Sequence, residues 1–282
     1  VEVAVAAALV DLAEVRLEGA ARAVAGEFAR SIEEQRLMDH KLDEFIQKLK
    51  SSAGANLKAA ALYGSAATGE FHSKHSDLNI LCIIEQADAA RIEALHAPVE
   101  WWMKQGHRAP LFFTSQELQR SADVFAIELL DMKLHHRMLH GEDMLAGLEV
   151  PLHYHAIQVE RELRTDWLRL RQAILTAPKK TDVYLDLMTS SLSAFAALFR
   201  HTLIALGEPP AANKRSAIER VAQFAHADPS AFLAILEIRE GKQKLQGNAV
   251  EKTLEQYFAF VEAVTDEFDR QLDVRKRPNA TE

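Results

Sequence analysis

The stretch Leu62-Tyr63-Gly64-Ser65-Ala66-Ala67-Thr68-Gly69-Glu70, followed by Ser76-Asp77-Leu78-Asn79-Ile80-Leu81, decides the reading of this chain. An apolar run of strand length, Ala59 to Tyr63, ends on Gly-Ser, and Ser-Asp-x-Asn opens a second apolar run, Leu78 to Ile84. A glycine at a strand end lets the backbone approach a polyphosphate closely. A serine opening the following helix adds a hydroxyl beside N–H groups that have no helical partner. Gly64 and Ser65 fill those places. On the second strand, residues two apart share a face, so Asp77 and Asn79 present oxygens together while Leu78 and Ile80 turn into the core. Mg²⁺ prefers carboxylate oxygens and substrate phosphates, which makes Asp77 the expected metal ligand and Asn79 an uncharged second one.

Working outward, the segment before this stretch reads as helix. Val5, Leu9, Leu12 and Val15 recur every three or four residues, and Leu42, Phe45, Ile46 and Leu49 continue the pattern, with a break expected near Gly19 or Gly26. After the second apolar run, Asp88 to Lys104 reads as helix broken or kinked at Pro98, and Pro110 to Thr114 is a third apolar run. Thr114 and Glu117 have the spacing of a capping box. Pro151 stands where proline opens a helix, here expected to run to Leu175. Further helices follow over Asp182 to Leu206, Lys214 to His226, Pro229 to Arg239 and Ala249 to Val274, and the first of them is stopped by Gly207 with Pro209 and Pro210 beyond. Their apolar stripes, joined by short connections and without a strict heptad, fit an antiparallel bundle. The tail Arg275 to Glu282 reads as frayed. The fold expected is α+β and mostly α: N-terminal helices with a small mixed-sheet core over residues 1–150, then a helical bundle over residues 151–282.

Composition narrows the function. With Lys plus Arg at 33 and Asp plus Glu at 41, the formal charge of -8 leaves no basic excess for a broad nucleic-acid or membrane surface. The single cysteine, Cys82, excludes an internal disulfide framework and a multi-cysteine zinc ribbon, and points to a reducing, cytoplasmic setting. The apolar run Val3 to Val10 is closed by Asp11, short of the roughly 20 residues of a membrane span. No basic n-region precedes it, so no secretory signal is expected.

The Gly-Ser turn and the Asp-x-Asn strand resemble the signature of the polymerase-β-like nucleotidyltransferase superfamily, in which Gly-Ser is followed about ten residues later by Asp-x-Asp or Asp-x-Glu. The resemblance covers Ala59 to Thr114 by motif, and small members of the family also append a helical domain. Met138-Leu139-His140-Gly141-Glu142-Asp143 is similar to a Leu-Tyr-Gly-Glu-Asp turn that often follows the catalytic domain. The resemblance implies transfer of a nucleoside monophosphate from Mg²⁺-bound ATP, or another nucleoside triphosphate, to a hydroxyl on a small molecule or protein. Asp77 and Asn79 would be the catalytic, metal-binding pair, and Gly64, Ser65 and Lys74 would hold the nucleotide.

The departures from the family pattern cluster at the metal site. Asn79 replaces the second carboxylate, no acid lies within Pro110 to Thr114 where a third is expected, and Ala66 and Thr68 stand where the loop usually carries basic residues. Glu117 is the nearest acid to the third position, but the capping reading places it on a helix, and Glu100 lies upstream in another. These losses support an alternative, a catalytically inactive nucleotide-binding or protein-interaction module of the same fold.

Other groups have plainer readings. His136 and His140, four apart on an expected helix, have a zinc-compatible spacing, but no glutamate of metalloprotease type lies between them and no cysteine is near. Asp143 and Glu142 are accounted for by capping and solvation, Trp101 and Trp102 by packing. The helix with Arg161, Arg164, Arg169 and Arg171 interspersed with Glu160, Glu162 and Asp166 reads as a mixed solvated face.

Overall fold

The computed structural model describes residues 32–33, 35–64, 66–67 and 78–276. The expected glycine break near Gly19 or Gly26, most of the tail, and Ser65, Lys74 and Asp77 lie outside the described residues.

Helix α1, residues 35–53, buries Met38, Leu42, Phe45, Ile46 and Leu49, a stripe at three and four residue spacing. A 3-10 turn, Gly54–Asn56, leads into β1 (Leu57–Tyr63), which pairs antiparallel with β2 (Asn79–Ile84). Two helices, α2 (Ala89–Glu93) and α3 (His96–Lys104), carry the chain to β3 (Leu111–Thr114), which lies parallel to β2. The break expected at Pro98 falls earlier, at Ala94 and Leu95, and Pro98 sits in the first turn of α3. Proline is tolerated there because first-turn N–H groups have no helical acceptor.

After α4 (Ser115–Arg120) and α5 (Ala126–Leu134), the chain forms β4 (His136–Gly141), antiparallel to β1 on its free edge. The sheet order is β3-β2-β1-β4. The helix expected around His136 and His140 is therefore a strand. Its partner supplies the reason: β1 is buried over most of its length and needs hydrogen bonds on both edges.

One face of the sheet, with Ala60, Leu62, Ile80, Cys82 and Ile84, forms a core with the α1 stripe and Trp102 of α3. Phe45 and Trp102 stack with ring centroids 4.6 Å apart. Such a buried aromatic pair adds roughly 0.5–1.5 kcal/mol to what its area alone contributes.

Residues 121–130 and 149–282 form a second compact unit, the first comprising residues 1–120 and 131–148. The second unit holds α6 (His155–Thr176), α7 (Thr181–Ala205), α8 (Lys214–Ala225), α9 (Ser230–Arg239) and α10 (Asn248–Lys276). Helix α6 starts four residues after Pro151, because the chain first turns with His155 N–H donating to Leu152 O at 3.2 Å. Helix α7 packs against the other four and buries Met188, Leu192, Phe195 and Phe199. Phe232 of α9 and Tyr257 of α10 stack beside it at 3.9 Å. The stop at Gly207 is made by Gly207 N–H to Ile204 O and Glu208 N–H to Leu203 O, both 2.9 Å.

The arginine-rich face of α6 is ion-paired: Arg164 with Glu160 and Asp269, Arg169 with Asp166, Arg161 with Glu162. Arg171 covers the Trp167 ring at 4.7 Å. The whole is an α+β architecture with a small mixed sheet and a large helical part. Among the described residues, no helix is long and apolar enough to cross a membrane.

Candidate functional site

At the end of β1, Gly64 adopts φ 82°, in the left-handed region that side chains with a Cβ occupy only with strain. Its carbonyl accepts from Ala67 N–H at 2.9 Å, which closes a tight turn, and its own N–H donates to His135 O at 3.4 Å, just ahead of β4. The glycine thus reverses the chain while tied to the neighbouring strand.

Antiparallel pairing sets Tyr63 opposite Asn79 on β2 and opposite His136 on β4. Residues directly opposite one another in a ladder point to the same side of the sheet. Asn79, Tyr63 and His136 therefore form a row on one face, at the end where β1 turns. The next row on that face is Leu81, Ala61 and Met138. Leu78 and Ile80, on either side of Asn79, are each 2% exposed and lie in the core of the opposite face. Asn79 itself is half-buried, and a Cβ built on Gly64 would meet its Nδ2 at 3.5 Å. The Gly-Ser turn and the Asp-x-Asn strand therefore meet at Gly64 and Asn79. Ser65, Lys74 and Asp77, the other expected site residues, lie outside the described residues.

Strand β3 brings no acid to the sheet: Leu111, Phe112, Phe113 and Thr114 pair with Leu81, Cys82, Ile83 and Ile84. Glu117 is committed elsewhere. Its Oε2 accepts from Thr114 N–H at 2.7 Å and its N–H donates to Thr114 Oγ1 at 3.1 Å, a complete capping box at the start of α4. The Thr114 backbone N–H, and then its hydroxyl, hold the Glu117 carboxyl below its ordinary range. Glu100 pairs on the surface with Lys104 at 2.8 Å.

His136 bridges three segments. Nδ1 lies 2.9 Å from Met132 O, and Nε2 lies 3.0 and 3.1 Å from the two Asp143 oxygens. Asp143 also accepts from Ala146 N–H at 2.9 Å and Leu145 N–H at 3.1 Å. Partial burial works against its charge, but the hydrogen bonds from Ala146, His136 and Leu145 outweigh it and hold the carboxyl below its usual value. Asp143 is a turn-capping group, as the sequence suggests, and additionally the partner of His136. The row Asn79, Tyr63, His136 is not visible in the sequence, because it follows from the β1–β2 and β1–β4 registers together.

Two divalent ions need several carboxylates converging from neighbouring strands. Among the described residues, no group of three or more His, Cys, Asp or Glu side chains converges on a common point. At the site itself the described donor set is one neutral amide, Asn79. The described residues alone do not make up a two-ion centre. His136 and His140 lie on a strand, so their helical spacing does not arise. Elsewhere, His155 and His201 are both buried in the second unit and share a 2.9 Å hydrogen bond, a structural pairing the sequence does not reveal.

The fold has likenesses among solved structures. It is similar to the crystal structure of spectinomycin adenyltransferase AAD(9) from Enterococcus faecialis with ATP and spectinomycin. The TM-score is 0.50 and the identity 14%, over 79% of this chain and 99% of that one. A second structure, a toxin-antitoxin with AMP-PNP, matches 44% of this chain and 95% of its own, at 18% identity and a TM-score of 0.29. At 14% identity the likeness to the adenyltransferase structure is one of fold. No family model matches the sequence, and no curated protein matches it.

Proposed function

We propose that the chain binds a nucleoside triphosphate, ATP or another, as its Mg²⁺ complex, and transfers the nucleoside monophosphate to a hydroxyl on a small molecule or protein. The observation that carries this reading is the antiparallel β1–β2 register, which sets the left-handed Gly64 turn beside Asn79 at one end of the sheet. The fold likeness to an adenyltransferase whose structure holds ATP supports it.

In this reaction the acceptor oxygen attacks the α-phosphorus, the bond to the bridging oxygen breaks, pyrophosphate leaves with that electron pair, and the acceptor proton passes to solvent. The chain's own part is to hold and orient the polyphosphate. The Gly64 turn would let the polyphosphate approach the backbone closely, Ser65 would offer its hydroxyl, and Lys74 would add charge. Asp77, two residues before Asn79, would meet the ion that arrives with the triphosphate.

A second reading has its own observation. β3 carries no acid and Glu117 is locked in a capping box, which favours a nucleotide-binding module without turnover. One assay separates the two: the protein is incubated with α-labelled nucleotides, Mg²⁺ or Mn²⁺ and cell extract, and labelled product is sought. Label transfer that disappears in Asp77→Ala supports catalysis. Calorimetric binding without transfer supports the module, and full transfer by Asp77→Ala excludes this site.

A further inference from the structure

Resting on the nucleotide-binding reading above, we infer that Asn79 grips the polyphosphate through its amide N–H groups instead of giving its oxygen to a cation. A primary amide can do either, and its surroundings decide which. The atom of Asn79 turned toward Gly64 is Nδ2, 3.5 Å from where a Cβ of that glycine would stand. The glycine bears only hydrogen on that side, so no side chain of residue 64 stands between its backbone and the amide.

Among the described residues, the Asn79 amide makes no hydrogen bond, although neighbouring polar groups are engaged: Gly64 N–H with His135 O, and His136 with Met132 O and Asp143. A half-buried amide whose donors meet no acceptor among the described residues, beside a left-handed glycine turn, is a place for an acceptor. Among the described residues, these strands carry no carboxylate to support the cation alternative. A divalent ion prefers carboxylates, β3 supplies none, and Glu117 is spent on Thr114.

Asn79 therefore offers its amide N–H groups to a nucleoside polyphosphate at the Gly64 turn, and a neutral side chain there is a requirement of that role. A carboxylate at the same place would face the phosphates with like charge. The ligand chemistry is the polyphosphate chain itself, so inorganic tripolyphosphate and ATP both meet this residue. A gain of ATP over tripolyphosphate measures what the nucleoside adds.

Isothermal calorimetry on the full chain, with ATP and separately with tripolyphosphate, in EDTA and then in Mg²⁺, tests this. The wild type is expected to bind in EDTA. Asn79→Asp is expected to lose about tenfold or more in affinity, the cost of removing a hydrogen bond to a charged group, and Mg²⁺ is not expected to restore it. Asn79→Ser, which keeps a small donor, should fall between the two. Melting temperatures of both variants within a few degrees of wild type establish that they fold. Asn79→Asp binding MgATP as tightly as wild type or tighter, or wild-type binding abolished by EDTA, would overturn the assignment while leaving the nucleotide reading intact. A folded wild type that binds neither probe in either condition would sink both.

Discussion

Gly141 is where a single methyl group should do the most harm. Its φ is 73°, and a Cβ there would stand 1.9 Å from Lys58 O and 2.9 Å from Ala59 Cα. Both are backbone atoms of β1, so no side chain can rotate out of the way. Gly141→Ala thus incurs about 1–2 kcal/mol for the left-handed conformation. It must also pull the end of β4 off β1, at about 1 kcal/mol for each ladder hydrogen bond weakened. A total of roughly 3–5 kcal/mol follows, which in a unit of this size lowers the melting temperature by at least about 10 °C.

Gly106→Ala is the control within the same unit. Its φ is 90° but nothing lies within 4 Å of the added carbon, so only the conformational part, about 1–2 kcal/mol, should be lost. Of the three tryptophans, Trp101 and Trp102 lie on α3, so urea unfolding followed by fluorescence in a Trp167→Phe background reports the sheet-bearing unit. A Gly141→Ala cost equal to that of Gly106→Ala would refute the β1–β4 register. The tie of Gly64 to His135, and with it the row Asn79, Tyr63, His136, would go too.

Four further outcomes follow from the described geometry. Thr114→Ala should cost about 1 kcal/mol by removing the cap on α4, measured by the same unfolding. Glu117 is held below its ordinary value, so its share of stability is full above the unfolded carboxylate range and is lost as pH falls through the depressed value. Glu117→Gln should accordingly flatten the acid limb of the stability profile, and an unchanged limb would count against the capping box. Asp143 is depressed in the same direction, so Asp143→Asn should also flatten that limb and raise the solvent exchange of the Leu145 and Ala146 amides, read by NMR. Cys82 is fully buried and burial pushes its thiol up to about 12. It should resist a thiol reagent at pH 8 until denaturant is added, and rapid labelling of the native protein would place β2 wrongly.

Much of this was legible in the sequence where the signal is local. β1, β2 and β3 announce themselves as short apolar runs bounded by small or polar residues, and the Thr114–Glu117 box needs only its own four residues. The stop of α7 at Gly207 is equally local. The bundle helices carry stripes because each buries one face against α7, so periodicity and packing coincide.

β4 was hidden because its pattern is set by a partner. His136 to Gly141 reads His-Arg-Met-Leu-His-Gly, with no alternation of apolar and polar residues, and only the free edge of β1 makes it a strand. Pro98 and Pro151 each sit within a few residues of a helix start, but the breaks fall where turn hydrogen bonds place them. At the site, Gly64 and Asn79 could be read from their spacing. Tyr63 and His136 could not, since a register between residues more than seventy apart leaves no local trace.

The central claim, that the Gly64 turn and Asn79 seat a nucleoside triphosphate, is tested most directly by a crystal structure of the protein with a non-hydrolysable ATP analogue. The expected result is polyphosphate density within hydrogen-bond distance of the Gly64 turn and the Asn79 amide. Analogue bound elsewhere on the chain, with water alone at Gly64 and Asn79, would contradict it.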